Sequence, residues 1–274
     1  MVSFIRQDKL GAMALAILLV VFIMGIFASF FALHDPLEQN ILMKFAGVSM
    51  EYPFGTDHLG RCIYSRMVFG IQNTVFLALL TMVCAIVIGV LVGIVAGYYG
   101  GVVDEVIMRF CDVMLSFPSQ VMILAIVGIM GVGIENIIIA NILIKWTWYA
   151  RMIRGIVVSY AHKNYVLYAK TIGKSDSFII SRHLVPSITS EIIILGTLDI
   201  GWVIINISTL SFLGLGIQPP FPEWGAMLGE AKNTLITQPA QMIAPGMAIL
   251  TVVACFNILG DSLRDILDPK RHNR

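Results

Sequence analysis

The chain has 274 residues, of which 58% are hydrophobic and 13% are charged. Soluble globular domains carry about 25% charged residues, and charged side chains are costly in hydrocarbon, so the composition indicates a membrane protein. The net charge of +1 gives no general basic field that would attract nucleic acid. The four cysteines show no paired spacing, so neither a disulfide framework nor a zinc site is expected.

Six apolar runs predict an all-α polytopic membrane protein, because a membrane-spanning helix needs about 20 mostly apolar residues. In chain order, the runs are Leu10–Leu33, Thr74–Tyr99, Pro118–Gly133, Ile137–Tyr149, Ser187–Phe212 and Met242–Leu259. We expect the third span to start earlier, within Val102–Leu115, and Lys145 interrupts the short fourth one. The first run is longer than the core of a cleaved signal peptide, about 7–15 residues, and is therefore predicted to be a retained anchor.

The distribution of lysine and arginine predicts the orientation of these six spans. With both termini inside, the outer segments hold only Lys44, Arg61, Arg66 and Lys232. The inner segments then hold Arg6, Lys9, Arg109, Arg151, Arg154, Lys163, Lys170, Lys174, Arg182, Arg264, Lys270, Arg271 and Arg274. Basic residues accumulate on the cytoplasmic side of membrane proteins, so both termini are predicted to be cytoplasmic.

This topology divides the chain into five segments. They are a cytoplasmic N-terminus (1–9), a first transmembrane helix (10–33), an extracytoplasmic loop (34–73), a transmembrane core (74–264) with an inner loop at 151–186, and a cytoplasmic tail (265–274). Within the core, Gly89, Gly93 and Gly97 recur every fourth residue and predict one helix face that another helix approaches closely.

The inner loop contains a predicted short amphipathic helix outside the bilayer. Tyr165 and Ala169 lie one helical turn apart, Asn164 suits the N-cap, and Gly173 suits the position just past the C-terminus. A second helical stretch follows and ends at Pro186, which suits the first turn of the fifth span. From the residues alone, an ordinary surface helix on the membrane remains an equal alternative.

The triplet Gly173-Lys174-Ser175 has the ending of a phosphate-binding loop. However, the full motif needs a glycine five residues earlier, where this chain has Tyr168, and no strand precedes it. We also find no nucleophile paired with a base and no spacing typical of metal ligands. The chain is therefore predicted to be neither an enzyme nor a nucleotide-binding subunit, with no cofactor of its own.

The outer loop carries the most specific pattern, Phe54-Gly55-Thr56-Asp57-His58-Leu59-Gly60-Arg61 followed by Ser65-Arg66. It resembles the second permease subunit of the peptide and nickel branch of ATP-binding-cassette (ABC) importers, although Cys62 replaces the usual aspartate. The stretches Ser211–Gly216, Glu223–Gly225 and Asn257–Asp265 match the same branch, and the matches run from residue 54 to residue 269. The inner loop matches the family signature in part: Ala169, Gly173 and Pro186 fit, whereas Leu167 and Tyr168 replace its glutamate and first alanine.

This resemblance implies an ABC type I importer permease fold in the bacterial cytoplasmic membrane. The inner helix, between the fourth and fifth spans, would be a coupling helix that docks on a separate ATPase. Tyr165 would fill an apolar pocket there, and Ala169 and Gly173 would permit close approach. The implied partners are a second homologous permease, two ATP-binding subunits that hold ATP and Mg, an extracytoplasmic substrate-binding protein and membrane lipid, but no nucleic acid.

Charged residues within the membrane are candidates for the transport pathway. Asp199 and Lys145 are the candidates here. The alternatives are that they pair with each other or with neighbours, or that Lys145 extends to the interface. His58 and Asp199 are weak candidates for metal contact. Local features at Trp146–Met152, at Thr197–Gly201 and at His58 look like the nickel-type subunit.

The predicted cargo is therefore nickel or a metal–chelate complex, with di- or oligopeptides as the alternative. A secondary transporter driven by an ion gradient is the rival from a different class. Such folds usually show inverted repeats, which we do not find in this sequence. A membrane enzyme would need a catalytic constellation that we also do not find.

Overall fold

The computed structural model describes residues 8–267, so most of the predicted N-terminal segment and of the predicted tail lies outside the described residues. Across that range the chain is helical, with one isolated bridge between Thr56 and Cys62 as its β-type pairing. In chain order, the helices are α1 (Lys9–Ile26), α2 (Ala28–Phe31), α3 (Ile63–Ile71), α4 (Leu77–Tyr99), α5 (Gly101–Leu115), α6 (Ser119–Met130), α7 (Ile134–Ala161), α8 (Asn164–Thr171), α9 (Asp176–Ile179), α10 (Val185–Phe212), α11 (Trp224–Ala231) and α12 (Ala240–Leu267). This agrees with the prediction, because a helix satisfies its own backbone groups where lipid cannot.

Two long helices run through a π-helical turn. Gln72–Phe76 connects α3 to α4, and Ile180–Leu184 connects α9 to α10, giving two continuous helices of 37 residues each. Pro186 lies in the first turn of α10, as predicted, but the π turn makes the helix continuous from Asp176. A proline inside a helix loses one hydrogen bond and crowds the carbonyl four residues earlier. The wider π turn directly before Pro186 accommodates both effects.

Four helices are long and apolar enough to cross a membrane: Lys9–Ile26, Ile63–Tyr99, Asp176–Phe212 and Ala240–Leu267. Helices α5 and α6 would make a fifth span if they are counted together, but they meet at a bend of 86°. The bend lies at Pro118, which disfavours helical backbone in the residue before it. The chain is thus a multi-pass helical membrane protein, and the number of six spans stays a prediction.

The helix that contains the predicted fourth span extends well beyond Tyr149. Helix α7 continues to Ala161, although the apolar run stops at Arg151. The guanidinium groups of Arg151 and Arg154 each meet a carboxylate, Asp112 and Asp104 respectively. Paired charges do not end a helix. The sequence therefore becomes less hydrophobic after Tyr149 because side chains there form ion pairs, and not because α7 ends.

Contacts divide the chain into two compact units. The first combines the described parts of Met1–Leu80 and Thr197–Arg274 with Val127–Ile138. Here α1 packs along α12. The carboxylate of Asp8 joins the two, since it caps α1 by accepting the Gly11 N–H at 3.0 Å and also accepts the Ser262 hydroxyl.

The second unit combines Thr81–Ile126 with Ile139–Gly196. Its α4 lies directly against α7 through the predicted glycine face. A Cβ atom placed on Gly93 would be 2.7 Å from the Ala150 carbonyl oxygen, and one on Gly97 would be 2.9 Å from that of Arg154. The two backbones are thus in contact, and the predicted role of these glycines in close helix packing is confirmed.

Candidate functional site

The inner loop folds as two short helices joined by a glycine turn, and we call residues 162–184 the coupling loop. Gly173 follows α8 with φ +74°, which favours glycine. Its N–H donates to the Lys170 carbonyl and that of Lys174 to the Ala169 carbonyl, the two bonds of a Schellman motif. The predicted position of Gly173 is therefore confirmed. Asn164 is the first residue of α8 and not its N-cap, which is Lys163.

One side of α8 is buried within the chain itself. Val166 is fully buried and Ala169 is 4% exposed, and both pack with Ile153 and Val157 of α7 and with Leu184. The small Ala169 side chain thus lets α8 lie close to its own helices. Ala169 thus faces its own helices, and its predicted part in close approach of an ATPase stays a prediction.

The opposite side of α8 is apolar and exposed. Tyr165, Leu167, Tyr168 and Ile172 are all exposed, Tyr168 by 67%, and Gly173 is exposed beside them. The Tyr165 ring lies 5.8 Å from the His183 ring, and its hydroxyl is 3.3 Å from Ser187 Oγ. We call these five residues the docking face.

Two tyrosine–carboxylate contacts near the coupling loop escaped the sequence analysis. The hydroxyl of Tyr98 donates to Asp176 at 2.6 Å, and that of Tyr160 to Glu191 at 3.2 Å. Tyr98 lies at the C-terminal end of α4, which the sequence analysis treated as an uncharged span, and Tyr160 lies at the C-terminal end of α7, in the stretch assigned to the inner loop. The sequence feature that could have predicted these contacts is a tyrosine near the end of an apolar helix. Its ring suits apolar surroundings, while its hydroxyl reaches polar groups.

The outer motif forms a tight turn at residues 55–62. Asp57 accepts the backbone N–H groups of Leu59 and Arg61 at 2.8 and 3.0 Å. Gly60 has φ +75°, and a Cβ atom there would overlap the backbone of Asn40. The glycine and aspartate of the motif are therefore required by the backbone path.

Two buried arginines connect this turn to α11. Arg61 lies 2.6 Å from Asp57 and 2.5 Å from Glu230, and Arg66 lies 3.2 Å from Glu230 and 3.8 Å from Asp57. Each arginine side chain is 1% exposed. Two positive charges thus face two negative ones, which is the condition under which charges persist away from water. We call these four residues the outer ion cluster.

His58 adds a third metal-ligating group, since its ring nitrogen and the carboxylates of Asp57 and Glu230 all lie within 4.8 Å of one another. However, Arg61 and Arg66 already occupy both carboxylates. A divalent cation would have to displace two guanidinium groups and would be repelled by them. The donor set therefore suits the ion cluster and not the metal contact predicted for His58.

Glu223 is a second buried acid in the first unit. Its carboxylate accepts the N–H groups of Gly225 and Ala226 at 3.0 and 2.7 Å and the hydroxyls of Thr74 and Ser208 at 3.1 and 3.3 Å. It thus caps α11 and joins it to two other helices. Burial raises the pKa of the Glu223 carboxyl above its ordinary value, and the two backbone hydrogen bonds oppose that shift.

Residues 89–273 match the family described as the binding-protein-dependent transport system inner membrane component. The chain belongs to this family. It is 42% identical over 264 residues to the metal-staphylopine import system permease protein CntC of Staphylococcus aureus, covering 96% of this chain and 91% of that protein. It is 41% identical over 270 residues to the glutathione transport system permease protein GsiD of Escherichia coli, covering 97% and 88%.

The predicted class is confirmed by these matches. The chain is the permease subunit of an ABC importer of the peptide and nickel branch, with the type I importer permease fold. It is not an enzyme, since ATP hydrolysis in such importers belongs to separate subunits. Family membership implies ATPase, substrate-binding and second permease partners.

The two pathway candidates lie on different helices of this permease. Asp199 is half-buried in α10, and Lys145 is half-buried in α7. The ammonium of Lys145 lies 5.6 Å from the Trp148 ring centroid, a cation–π distance. Asp199 therefore lies inside a long helix, as the sequence predicted, whereas the helix around Lys145 is longer than the short span predicted there. Both residues have interaction partners.

Proposed function

We propose that this permease is the second membrane subunit of an importer for a metal–chelate complex, nickel complexes included. The observation that carries the proposal is the 42% identity, over 96% of the chain, with a metal-staphylopine permease. The half-buried carboxylate of Asp199 supports it, because oxygen ligands suit divalent cations and their chelates. A single carboxylate also allows release, whereas a full ligand set would retain the metal.

A peptide cargo is the second candidate. The chain is 41% identical over 97% of its length to a glutathione permease, and glutathione is a small peptide. A metal chelate built on amino acids and a short peptide share carboxylates and amines. The same pathway chemistry therefore serves both.

We further propose how the complex is assembled. A homologous second permease would complete the pathway, two ATPases would bind ATP and Mg, and an extracytoplasmic protein would deliver cargo. The docking face supports a contact with an ATPase, since exposed apolar side chains such as Leu167, Tyr168 and Ile172 gain by leaving water. Movement of the coupling loops would then switch the pathway between inward and outward openings.

Uptake measurements test the cargo. Cells that lack their own nickel and peptide importers would carry this complete system and receive radioactive nickel, with or without a chelator such as histidine, or a labelled dipeptide or glutathione. We expect nickel uptake that depends on the system. Uptake of either peptide without any nickel uptake would reject the metal proposal and favour the peptide one.

A further inference from the structure

We propose that Tyr98, at the inner end of α4, is the positioning residue that joins the coupling loop to α4 and carries the movement of the loop into that helix. The inference rests on the proposed function of the loop as the ATPase contact. It goes further by naming the side chain through which a helix distant in sequence follows the loop.

Tyr98 contacts the coupling loop on both sides of its glycine turn. The hydroxyl donates to Asp176 Oδ1 at 2.6 Å, and Asp176 is the first residue of α9. The ammonium of Lys170, in the last turn of α8, lies 4.4 Å from the centre of the Tyr98 ring. One side chain of α4 therefore holds the end of α8 and the start of α9 at a fixed separation.

Burial makes this contact stiff. Tyr98 is 8% exposed and packs in the same apolar cluster as Val166, Ala169 and Ile179 of the coupling loop. Removing the ring from water stabilises this packing, and a hydrogen bond to a charged acceptor is stronger than one between neutral groups. The ring supplies affinity between the elements, and the hydroxyl fixes the position of α9.

Chain connectivity explains why such a contact is needed. Helix α7 leads into α8, and α9 leads through a π turn into α10, so both long helices follow the loop through the backbone. Helix α4 has no such connection, since Tyr98 is 78 residues away from Asp176. Its glycine face lies against α7, and Tyr98 adds a fixed point on the loop itself.

The test uses the complete importer in proteoliposomes and measures cargo transported per ATP hydrolysed. Tyr98→Phe keeps the ring and its contact with Lys170 but removes the hydroxyl. We expect this ratio to fall by about tenfold, the factor that corresponds to a hydrogen bond to a charged group, while co-purification with the ATPases is unchanged. Asp176→Asn retains an oxygen acceptor for the hydroxyl but loses its charge, so the ratio should fall by less than in Tyr98→Phe.

A double substitution makes the test specific to the contact. If Tyr98 acts through Asp176, then Asp176→Ala should lower the ratio as Tyr98→Phe does, and the double variant should be no worse than either single one. An unchanged ratio in Tyr98→Phe, or loss of assembly in that variant, would overturn the proposal. Failure of the docking proposal would be seen separately, as normal transport in a Gly173→Trp variant.

Discussion

Glu223 receives four hydrogen bonds in a fully buried position, so a neutral isostere tests its structural role. In Glu223→Gln, the amide nitrogen must face either Ala226 N–H or the three donors at the other oxygen, which leaves donor against donor. We expect a loss of about 1–3 kcal/mol in stability, measured as a lower thermal unfolding temperature in detergent. Glu135→Gln, at an exposed position, should change it by less than about 0.5 kcal/mol.

Asp199 is the residue at which the pathway proposal is most directly tested. If its carboxylate contacts cargo, Asp199→Asn should lower the initial rate of nickel uptake by about tenfold, since a charge-assisted contact contributes about 1.5–3 kcal/mol. Assembly, judged by co-purification, should be preserved, and Asp199→Glu should retain part of the rate. Loss of assembly in Asp199→Asn would assign the carboxylate to a structural ion pair.

A substitution in the coupling loop should abolish transport without preventing insertion into the membrane. Gly173 has a positive φ and an exposed position, so Gly173→Trp should leave the protein inserted but abolish transport and the stimulation of ATPase by loaded binding protein. Gly131→Trp is the matched control, because Gly131 also has a positive φ, +95°, and open space around it. We expect that control to retain transport.

Ala169→Trp should behave differently, because Ala169 is buried against α7 and Leu184. A larger side chain there forces the helices apart, at a cost of about 1–3 kcal/mol or more. The expected result is a lower yield of folded permease in the membrane, measured by immunoblot and size-exclusion profile. Normal yield with lost transport would instead support the predicted role of Ala169 at the ATPase contact.

The sequence predicted the existence of the long helices better than their ends. Apolar runs identify the apolar part of a helix, and the predicted runs overlap α1, α4, α10 and α12. The helix ends depend on contacts between residues distant in sequence, such as that of Arg151 with Asp112, which hydrophobicity does not predict. For the coupling loop, periodicity gave the helix and Gly173, but only packing decides that Ala169 faces inward.

At the scale of the whole molecule, the proposed topology can be tested by chemical labelling. Ser49 and Gln218 are exposed in segments predicted to be outside, and Ser175 is exposed in the coupling loop. In a cysteine-free background, a cysteine at Ser49 or Gln218 should react with a membrane-impermeant maleimide in intact cells whose cell wall or permeabilised outer membrane admits the reagent. One at Ser175 should react only after lysis, and the reverse pattern would overturn the orientation.

The continuous helix Asp176–Phe212 has 37 residues, which corresponds to about 55 Å at 1.5 Å per residue. A hydrocarbon core is about 30 Å thick, so this rod is longer than the barrier it crosses. Tilting it by about 10° around its middle would displace its two ends by about 5 Å in opposite directions, by the same helix dimensions. If transport tilts this helix, Asp176 in the coupling loop and Phe212 at the far end therefore move in opposite directions.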